Sequence, residues 1–144
     1  MSEKSVSTVI IDAPLADVQA ALFEIAAYPE WLSSIKKADV IERDGENRVI
    51  KAKLAIDAGM MKDRVTLDYD WSAAPASLSF SMDDADLLTQ MDGTYSLKAI
   101  DGDSTEVTYE LTVAVGMPVP AMMITKAQKQ TIDAALKELA ERVA

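Results

Sequence analysis

The chain has 144 residues, of which 24 are acidic and 14 basic, giving a formal net charge of −10, and it contains neither histidine nor cysteine. A chain of this length forms one domain around one core, so we expect a single domain over residues 1–144. The acidic balance repels phosphate backbones, which argues against a nucleic-acid partner. Without histidine and cysteine the commonest metal ligands, thiolate nucleophiles and disulfides are excluded, and we expect no metal site and no cofactor.

The first twelve residues lack the apolar core and the small-residue cleavage site of a signal peptide. No apolar run in the sequence approaches the roughly 20 residues that a membrane span requires. The sequence therefore predicts a soluble, cytoplasmic protein without stable membrane insertion.

A strand followed by two short helices is predicted for the first 35 residues. Residues 5–12 are rich in β-branched side chains, which favours a strand. Pro14 is a helix-starting residue, and an apolar stripe at helical spacing follows it at Val18, Ala21, Leu22 and Ile25. Pro29 predicts the start of a second short helix, packed by Trp31 and Ile35, with Trp31 interpreted as a core anchor.

From residue 36 onward the apolar period changes from 3.6 to 2, which indicates strands. Six antiparallel strands are predicted, separated by turn-forming segments at residues 44–47, 57–61, 74–76, 83–86 and 101–103. Gly93 interrupts the fifth of these strands and is interpreted as a β-bulge. The carboxylates at Asp83, Asp84 and Asp86 lack the spacing of a calcium loop and indicate a solvated turn.

A long helix is predicted at the C-terminus. Pro118 and Pro120 end the last strand, and an apolar stripe then runs through Ala121, Ile124, Gln128, Ile132, Ala135, Leu139 and Val143. Twenty-odd helical residues span about 30 Å, enough to cross a small sheet. The side chains in the middle of this stripe are small or polar, whereas a filled core would favour leucine there. This is the main sign that a ligand lies beneath the helix. A curved antiparallel sheet that grips this helix is the predicted architecture.

Particular stretches resemble a known family. Residues 11–18 (IDAPLADV) with 28–31 (YPEW), and residues 92–95 (DGTY), 104–111 (STEVTYEL) and 117–120 (MPVP), resemble the polyketide cyclase/dehydrase branch of the START-like superfamily. This superfamily is also called SRPBCC or Bet v 1-like. The resemblance implies an α+β helix-grip fold in the order β-α-α-β6-α, with about seven strands wrapped around a long C-terminal helix.

The resemblance also implies a cavity for apolar molecules such as lipids, sterols, polyketides or plant hormones. Members of the superfamily include carriers and cyclases. No catalytic or metal motif of its enzymes maps onto this chain, and its iron-binding oxygenases use histidines that are absent here.

Strand parity and the helical stripe supply the candidate ligand-binding residues. The inner face carries almost no charge, so the expected site is apolar with a few neutral hydroxyl and amide groups. Each polar group could instead bond to its neighbours or to water in a filled core. The candidates are Leu54, Leu67, Tyr69, Phe80, Met82, Thr89, Met91, Tyr109, Leu111, Val113, Met117, Gln128 and Thr131.

Methionines concentrate at one predicted end of the molecule. Alternate connections of an antiparallel meander meet at the same end, which brings residues 57–61 close to residues 116–123. Flexible thioethers suit a surface that adapts to varied apolar partners. We therefore predict a cavity mouth at Met60, Met61, Met122 and Met123, with a lid hinged at Gly59. A local hydrophobic cap, or the contact of a homodimer, explains the same cluster.

Three functions remain open from the sequence. The first is binding or carriage of a small lipid-like or polyketide-like molecule. The second is a metal-free cyclase or dehydratase that uses Tyr, Asp or Glu chemistry, although no inward acid–base pair is visible. The third is a protein-interaction module without a ligand.

Overall fold

The computed structural model describes residues 4–57 and 62–144. Seven strands, two α-helices and one 3₁₀ helix make up this part of the chain. In chain order they are β1 (Ser5–Ile11), α1 (Leu15–Phe23), the 3₁₀ helix (Ile25–Glu30), β2 (Ile35–Arg43), β3 (Val49–Asp57), β4 (Lys62–Asp70), β5 (Ser77–Ala85), β6 (Leu88–Asp101), β7 (Ser104–Val115) and α2 (Ala121–Val143).

All seven strands form one antiparallel sheet in the order β1-β7-β6-β5-β4-β3-β2. The six strands from β2 to β7 form a meander, because each pairs with the next along the chain. The first strand instead crosses to the far edge and pairs with the last, Ser5 opposite Leu111 and Ile11 opposite Thr105. This is the predicted α+β helix-grip fold, and that prediction is confirmed.

The second short helix differs from the prediction. A 3₁₀ helix occupies residues Ile25–Glu30, so that Pro29 lies near its end instead of its start. The N–H groups of Trp31 and Leu32 both donate to the carbonyl of Tyr28, which closes this turn. The chain then extends, and Ile35 pairs with Ile56 in the sheet. Strand pairing thus takes Ile35 out of the predicted helix and lengthens β2 beyond the predicted residues 40–43.

Helix α2 lies along one side of the sheet and leaves the other side uncovered. Its 23 residues span about 34 Å. It packs mainly against β1, β7 and α1. Gln128 connects the middle of α2 to the sheet. Its Oε1 accepts from the N–H of Val113 at 2.7 Å, and its Nε2 donates to Oγ of Ser5 at 2.8 Å.

The C-terminal half of α2 is attached to the segment after the 3₁₀ helix. The backbone N–H of Ser33 points at the Glu138 carboxylate, 3.2 Å from Oε1 and 3.3 Å from Oε2. Arg142 pairs with Glu30 at 3.3 Å. These contacts hold the helix at its edges, and a space remains between its inner face and strands β3 to β6.

Gly93 has a different role from the predicted bulge. It pairs in regular register with Phe80 on one side and Leu111 on the other. The bulge lies earlier in β6, where Leu88 pairs with Val115 and Gln90 already pairs with Ala114. Because β6 advances by two residues where β7 advances by one, Thr89 has no paired residue on β7.

Candidate ligand-binding site

The space beneath α2 contains an apolar cavity of about 40 Å³, which we call the tyrosine cavity. Strands β3 to β7 supply most of its wall, α2 supplies two small residues, and the segment after α1 closes one end. Its lining consists of Tyr28, Leu32, Ser34, Ile35, Leu54, Ile56, Leu67, Tyr69, Leu78, Phe80, Met91, Tyr95, Tyr109, Thr131 and Ala135.

All four tyrosines of the chain line this one cavity. Tyr95 and Tyr109 lie opposite each other on β6 and β7, and their rings stack with centroids 4.0 Å apart. Tyr69 on β4 lies beside the Phe80 ring at 6.0 Å. Tyr28 comes from the 3₁₀ helix and meets Trp31 edge-on at 5.5 Å. Phenol groups from four separate elements therefore meet in an otherwise apolar space.

Two of the four phenol protons are already used. The hydroxyl of Tyr28 donates to the carbonyl of Leu22. The hydroxyls of Tyr95 and Tyr109 bond to each other, which uses one of their two protons. Tyr69 is buried and makes no hydrogen bond with any described residue.

Burial raises the pKa of each of the four phenols above the usual value for tyrosine. For Tyr28, Tyr69 and Tyr95 the neighbouring tyrosines raise the pKa further. For Tyr109 the hydrogen bond with Tyr95 lowers the pKa but does not offset the effect of burial. All four hydroxyls are therefore neutral at physiological pH and act as hydrogen-bonding groups, not as bases.

Charged groups are absent from the described lining of the cavity. Asp63 is buried, but it lies at the start of β4 and its carboxylate accepts from four backbone N–H groups. These belong to Arg64, Asp86, Leu87 and Leu88 at 2.8 to 3.1 Å. Its carboxylate therefore shapes the β5–β6 turn and is not available as an acid or base in the cavity.

A second apolar space of about 190 Å³ lies one helical turn nearer the start of α2, and we call it the mouth pocket. Ala127 lines this pocket and Thr131, four residues on, lines the tyrosine cavity, so the two spaces follow the same face of α2. The lining of the mouth pocket comprises Lys62, Leu87, Leu88, Val113, Val115, Met117, Val119, Met123, Ile124 and Ala127.

A third concavity, of about 1070 Å³, is an open groove beside the first half of α2. Its wall includes Lys126, Lys129 and Asp133, and it shares Val115, Met117, Val119 and Ile124 with the mouth pocket. We assign the candidate site to the tyrosine cavity and the mouth pocket because their walls are mainly apolar, whereas the wall of the groove carries several charged side chains.

A family model described as polyketide cyclase/dehydrase and lipid transport matches residues 2–144, almost the entire chain. The chain belongs to this family. Its resemblance to the START-like superfamily, predicted from short stretches, is thereby confirmed.

Solved structures show the same fold in proteins of low sequence identity. A START superfamily protein from Mycobacterium smegmatis is 23% identical, with a TM-score of 0.91 over 97% of this chain and 96% of that one. The Zhui aromatase/cyclase from Streptomyces sp. R1128 is 15% identical, with a TM-score of 0.79 over 98% and 93%. A conserved protein from Geobacillus kaustophilus is 15% identical, with a TM-score of 0.80 over 98% and 95%. None of the curated proteins matches the chain.

In this family member, the structure brings seven of the candidate residues into the tyrosine cavity. They are Leu54, Leu67, Tyr69, Phe80, Met91, Tyr109 and Thr131. Thr131 donates its hydroxyl proton to the carbonyl of Ala127 at 2.8 Å, which leaves its oxygen able to accept. Val113 and Met117 line the mouth pocket instead.

Four candidates lie outside both spaces. The β6 bulge turns Thr89 outward, where it is exposed, so its predicted inward position was wrong. Gln128 is fully buried, but its amide is bonded to Val113 and Ser5. Met82 is half-buried at the edge of the core, beside a register shift in β4 and β5. Leu111 is buried opposite Gly93 and belongs to the packed core.

The predicted mouth is described only in part. Met60 and Met61, with Gly59, lie outside the described residues. Met123 is half exposed and lines the mouth pocket, whereas Met122 is 82% exposed and faces the open groove. Leu87 and Met117 are exposed close to the same pocket, so an apolar surface surrounds it.

Sequence reasoning missed Tyr28 and Tyr95 as lining residues. Tyr95 shares its strand parity with Met91, and its position opposite Tyr109 was a usable signal that the supposed bulge at Gly93 obscured. Tyr28 carries no such signal, because the path of the chain after α1 brings it to the cavity.

Asp83 and Asp84 lie in β5 and not in the predicted turn, because the strand continues to Ala85, but the charge pattern there fits a solvated surface. Asp83 pairs with Lys51 at 3.1 Å, and Asp86 pairs with Arg64 at 3.1 Å. Over residues 4–57 and 62–144, no group of three acidic side chains is placed to hold a metal ion. Within the same ranges, no helix has the length and apolar character needed to cross a membrane.

Proposed function

We propose that this protein binds a small apolar molecule between its sheet and α2, with the molecule lying in the tyrosine cavity and extending toward the mouth pocket. The observation that carries the proposal is the convergence of all four tyrosines on one apolar space. Ligand sites typically combine an apolar wall with a few polar groups that orient the guest. Membership of a family described by cyclisation and lipid transport supports the same conclusion.

The guest must enlarge the space that it enters. A volume of about 40 Å³ holds on the order of one water molecule, and the mouth pocket adds about 190 Å³. Ligand pockets usually measure roughly 300–1,000 Å³. Met91 lies in the cavity wall and has an unbranched, adaptable side chain, so it is the residue we expect to move.

An enzymatic function receives less support from the geometry. A cyclase or dehydratase needs a group that removes or delivers a proton near neutral pH. The phenols of the cavity have raised pKa values, and the described lining supplies no carboxylate. We therefore propose binding or carriage in preference to catalysis.

A second candidate function rests on the exposed apolar residues around the mouth pocket. Leu87, Met117 and Met123 are each about half exposed, and Met122 is more so. A surface of this kind fits contact with another protein, including a second copy of this chain. Sedimentation of the wild type and of a Met122→Ser/Met123→Ser variant tests this: a wild-type dimer that dissociates in the variant supports the contact.

The binding proposal is tested with N-phenyl-1-naphthylamine, a neutral probe whose fluorescence rises in apolar surroundings. We expect saturable binding of one probe per chain. Ala135 lines the cavity and Ala134 beside it is exposed, so Ala135→Leu and Ala134→Leu form a matched pair. Ala135→Leu is expected to weaken probe binding at least tenfold, and Ala134→Leu to leave it unchanged.

Thermal unfolding of both variants verifies that they are folded. The proposal is overturned if the wild type binds no probe, or if a folded Ala135→Leu variant binds it as tightly as the wild type does. Native mass spectrometry of protein purified from its own host then searches for the natural guest.

A further inference from the structure

We infer that the guest is an uncharged molecule with a carbonyl oxygen, and that the hydroxyl of Tyr69 donates to that oxygen. This inference rests on the proposed function and specifies the chemical class of the ligand. It follows from which protons in the cavity are already used and from where charges lie around it.

The first step concerns hydrogen-bond donors. Tyr28 donates its proton to the carbonyl of Leu22, and a hydrogen bond between the hydroxyls of Tyr95 and Tyr109 uses one of their two protons. Tyr69 bonds to no described residue, so its proton has no acceptor among them. A buried donor without an acceptor costs free energy, so a guest that supplies an acceptor gains affinity here.

The second step concerns the position of this donor. Tyr69 lies on β4 in the wall of the tyrosine cavity and retains 7% of its surface exposed. Its ring lies beside the Phe80 ring, with centroids 6.0 Å apart. The carbonyl oxygen of a guest in this space can accept from the Tyr69 hydroxyl, because such an oxygen carries two lone pairs.

The third step concerns charge. No described residue in the lining carries a positive charge, and the protein as a whole has a net charge of −10. A carboxylate in the cavity would lose its hydration without gaining a counterion. Lys62 lines the mouth pocket, but it is exposed and lies 3.7 Å from the carboxylate of Asp57. The tyrosine cavity therefore favours ketones, esters, amides or quinones over fatty acids.

The experiment compares three competitors with the same ring system against N-phenyl-1-naphthylamine at pH 7: naphthalene, 2-acetylnaphthalene and 2-naphthoate. We expect 2-acetylnaphthalene to bind at least tenfold more tightly than 2-naphthoate and more tightly than naphthalene. In Tyr69→Phe the preference for 2-acetylnaphthalene over naphthalene falls by about threefold to tenfold, the value of one neutral hydrogen bond. Binding of naphthalene stays within about twofold.

Tyr28→Phe is the matched control, because it removes a hydroxyl from the same cavity whose proton is already used. Its preference for 2-acetylnaphthalene over naphthalene is expected to equal that of the wild type. Since this preference is a ratio measured within one protein, a change in stability does not alter it. Infrared spectroscopy adds a direct readout: the carbonyl stretch of bound 2-acetylnaphthalene shifts to lower frequency, and less so in Tyr69→Phe.

Equal binding of 2-naphthoate and 2-acetylnaphthalene would overturn the inference, and so would an unchanged preference in Tyr69→Phe. Loss of 2-naphthoate binding in Lys62→Met would assign an anionic guest to the mouth pocket and also overturn it. In these outcomes the probe still binds, so the proposed function stands. Failure of the probe itself to bind contradicts the proposed function instead.

Discussion

The ring of Phe80 on β5 lies directly over Gly93 on β6, on the face of the sheet that looks toward α2. A Cβ atom at position 93 would lie 2.2 Å from Cζ of Phe80 and 2.5 Å from Cε2. The absence of a side chain at Gly93 thus gives the ring its place in the wall of the tyrosine cavity. The same ring lies beside Tyr69, so the glycine helps to position a residue of the candidate site.

Replacing Gly93 by alanine should destabilise the protein. The new methyl group and the Phe80 ring cannot occupy the same volume, and overpacking of this kind costs about 1–3 kcal/mol. Urea unfolding followed by circular dichroism measures the change. Gly102→Ala is the control, because nothing lies within 4 Å of its Cβ position.

A double-mutant cycle tests the cause of this destabilisation. Phe80→Leu combined with Gly93→Ala should be more stable than the two separate effects predict, because the smaller side chain vacates the contested volume. Strict additivity of the two changes would show that the ring is not the source of the loss.

Replacing Gln128 by leucine should loosen the attachment of α2. The change removes the acceptor of the Val113 N–H and the donor to Ser5, and an unsatisfied buried group costs about 1–3 kcal/mol. The free energy of unfolding and the hydrogen-exchange rate of the Val113 amide report the effect. The exposed Gln130 on the same helix supplies the control substitution, Gln130→Leu, which should change neither quantity.

Wild-type exchange at Val113 in the Gln128→Leu variant would contradict the role assigned to this amide. A guest-binding role for Gln128 predicts the opposite pattern, with unchanged stability and weakened binding of the probe.

Alkaline pH should destabilise the protein through its tyrosines. Burial raises the pKa of each phenol in the folded state, while in the unfolded chain it is about 10. Below about pH 10 both states keep these protons and the contribution to stability is complete. Above it, the unfolded chain releases protons that the folded chain retains, so stability falls by up to about 1.4 kcal/mol per pH unit for each tyrosine.

Urea unfolding at a series of pH values from 8 to 11 measures this loss. Tyr69→Phe should show a shallower decline, because one titrating group is removed. Absorbance at 295 nm follows ionisation of the phenols directly and should rise only when the protein unfolds. A rise near pH 10 in a protein that remains folded would contradict the burial of these hydroxyls.

Alternation and helical spacing predicted much of this structure. Apolar and polar residues alternate regularly in β4, which predicted that Val65, Leu67 and Tyr69 lie on the inner face. All three are buried there. The stripe of α2 placed Ile132, Ala135 and Leu139 toward the sheet. These predictions succeed because the face on which a side chain lies follows from local backbone geometry, which its immediate neighbours along the chain determine.

Errors arose where one residue changes the register. The bulge at Leu88 to Gln90 reverses the parity of Thr89, although the pattern of residue types there is compatible with both registers. The sequence pattern suggested that Gly93 interrupts a strand. In the structure its lack of a side chain makes room for the ring of Phe80 on the neighbouring strand. In both cases the deciding partner lies on another strand.

By itself, the sequence determined an acidic chain without histidine or cysteine, a meander of strands followed by a long helix, and the family to which the chain belongs. Only the tertiary structure decided that four tyrosines meet in one cavity, that Gln128 serves the attachment of α2, and that the enclosed space is small. The physical reason is that period and propensity are local properties of the chain. The volume of a cavity and the partner of a buried hydroxyl depend on how distant elements pack.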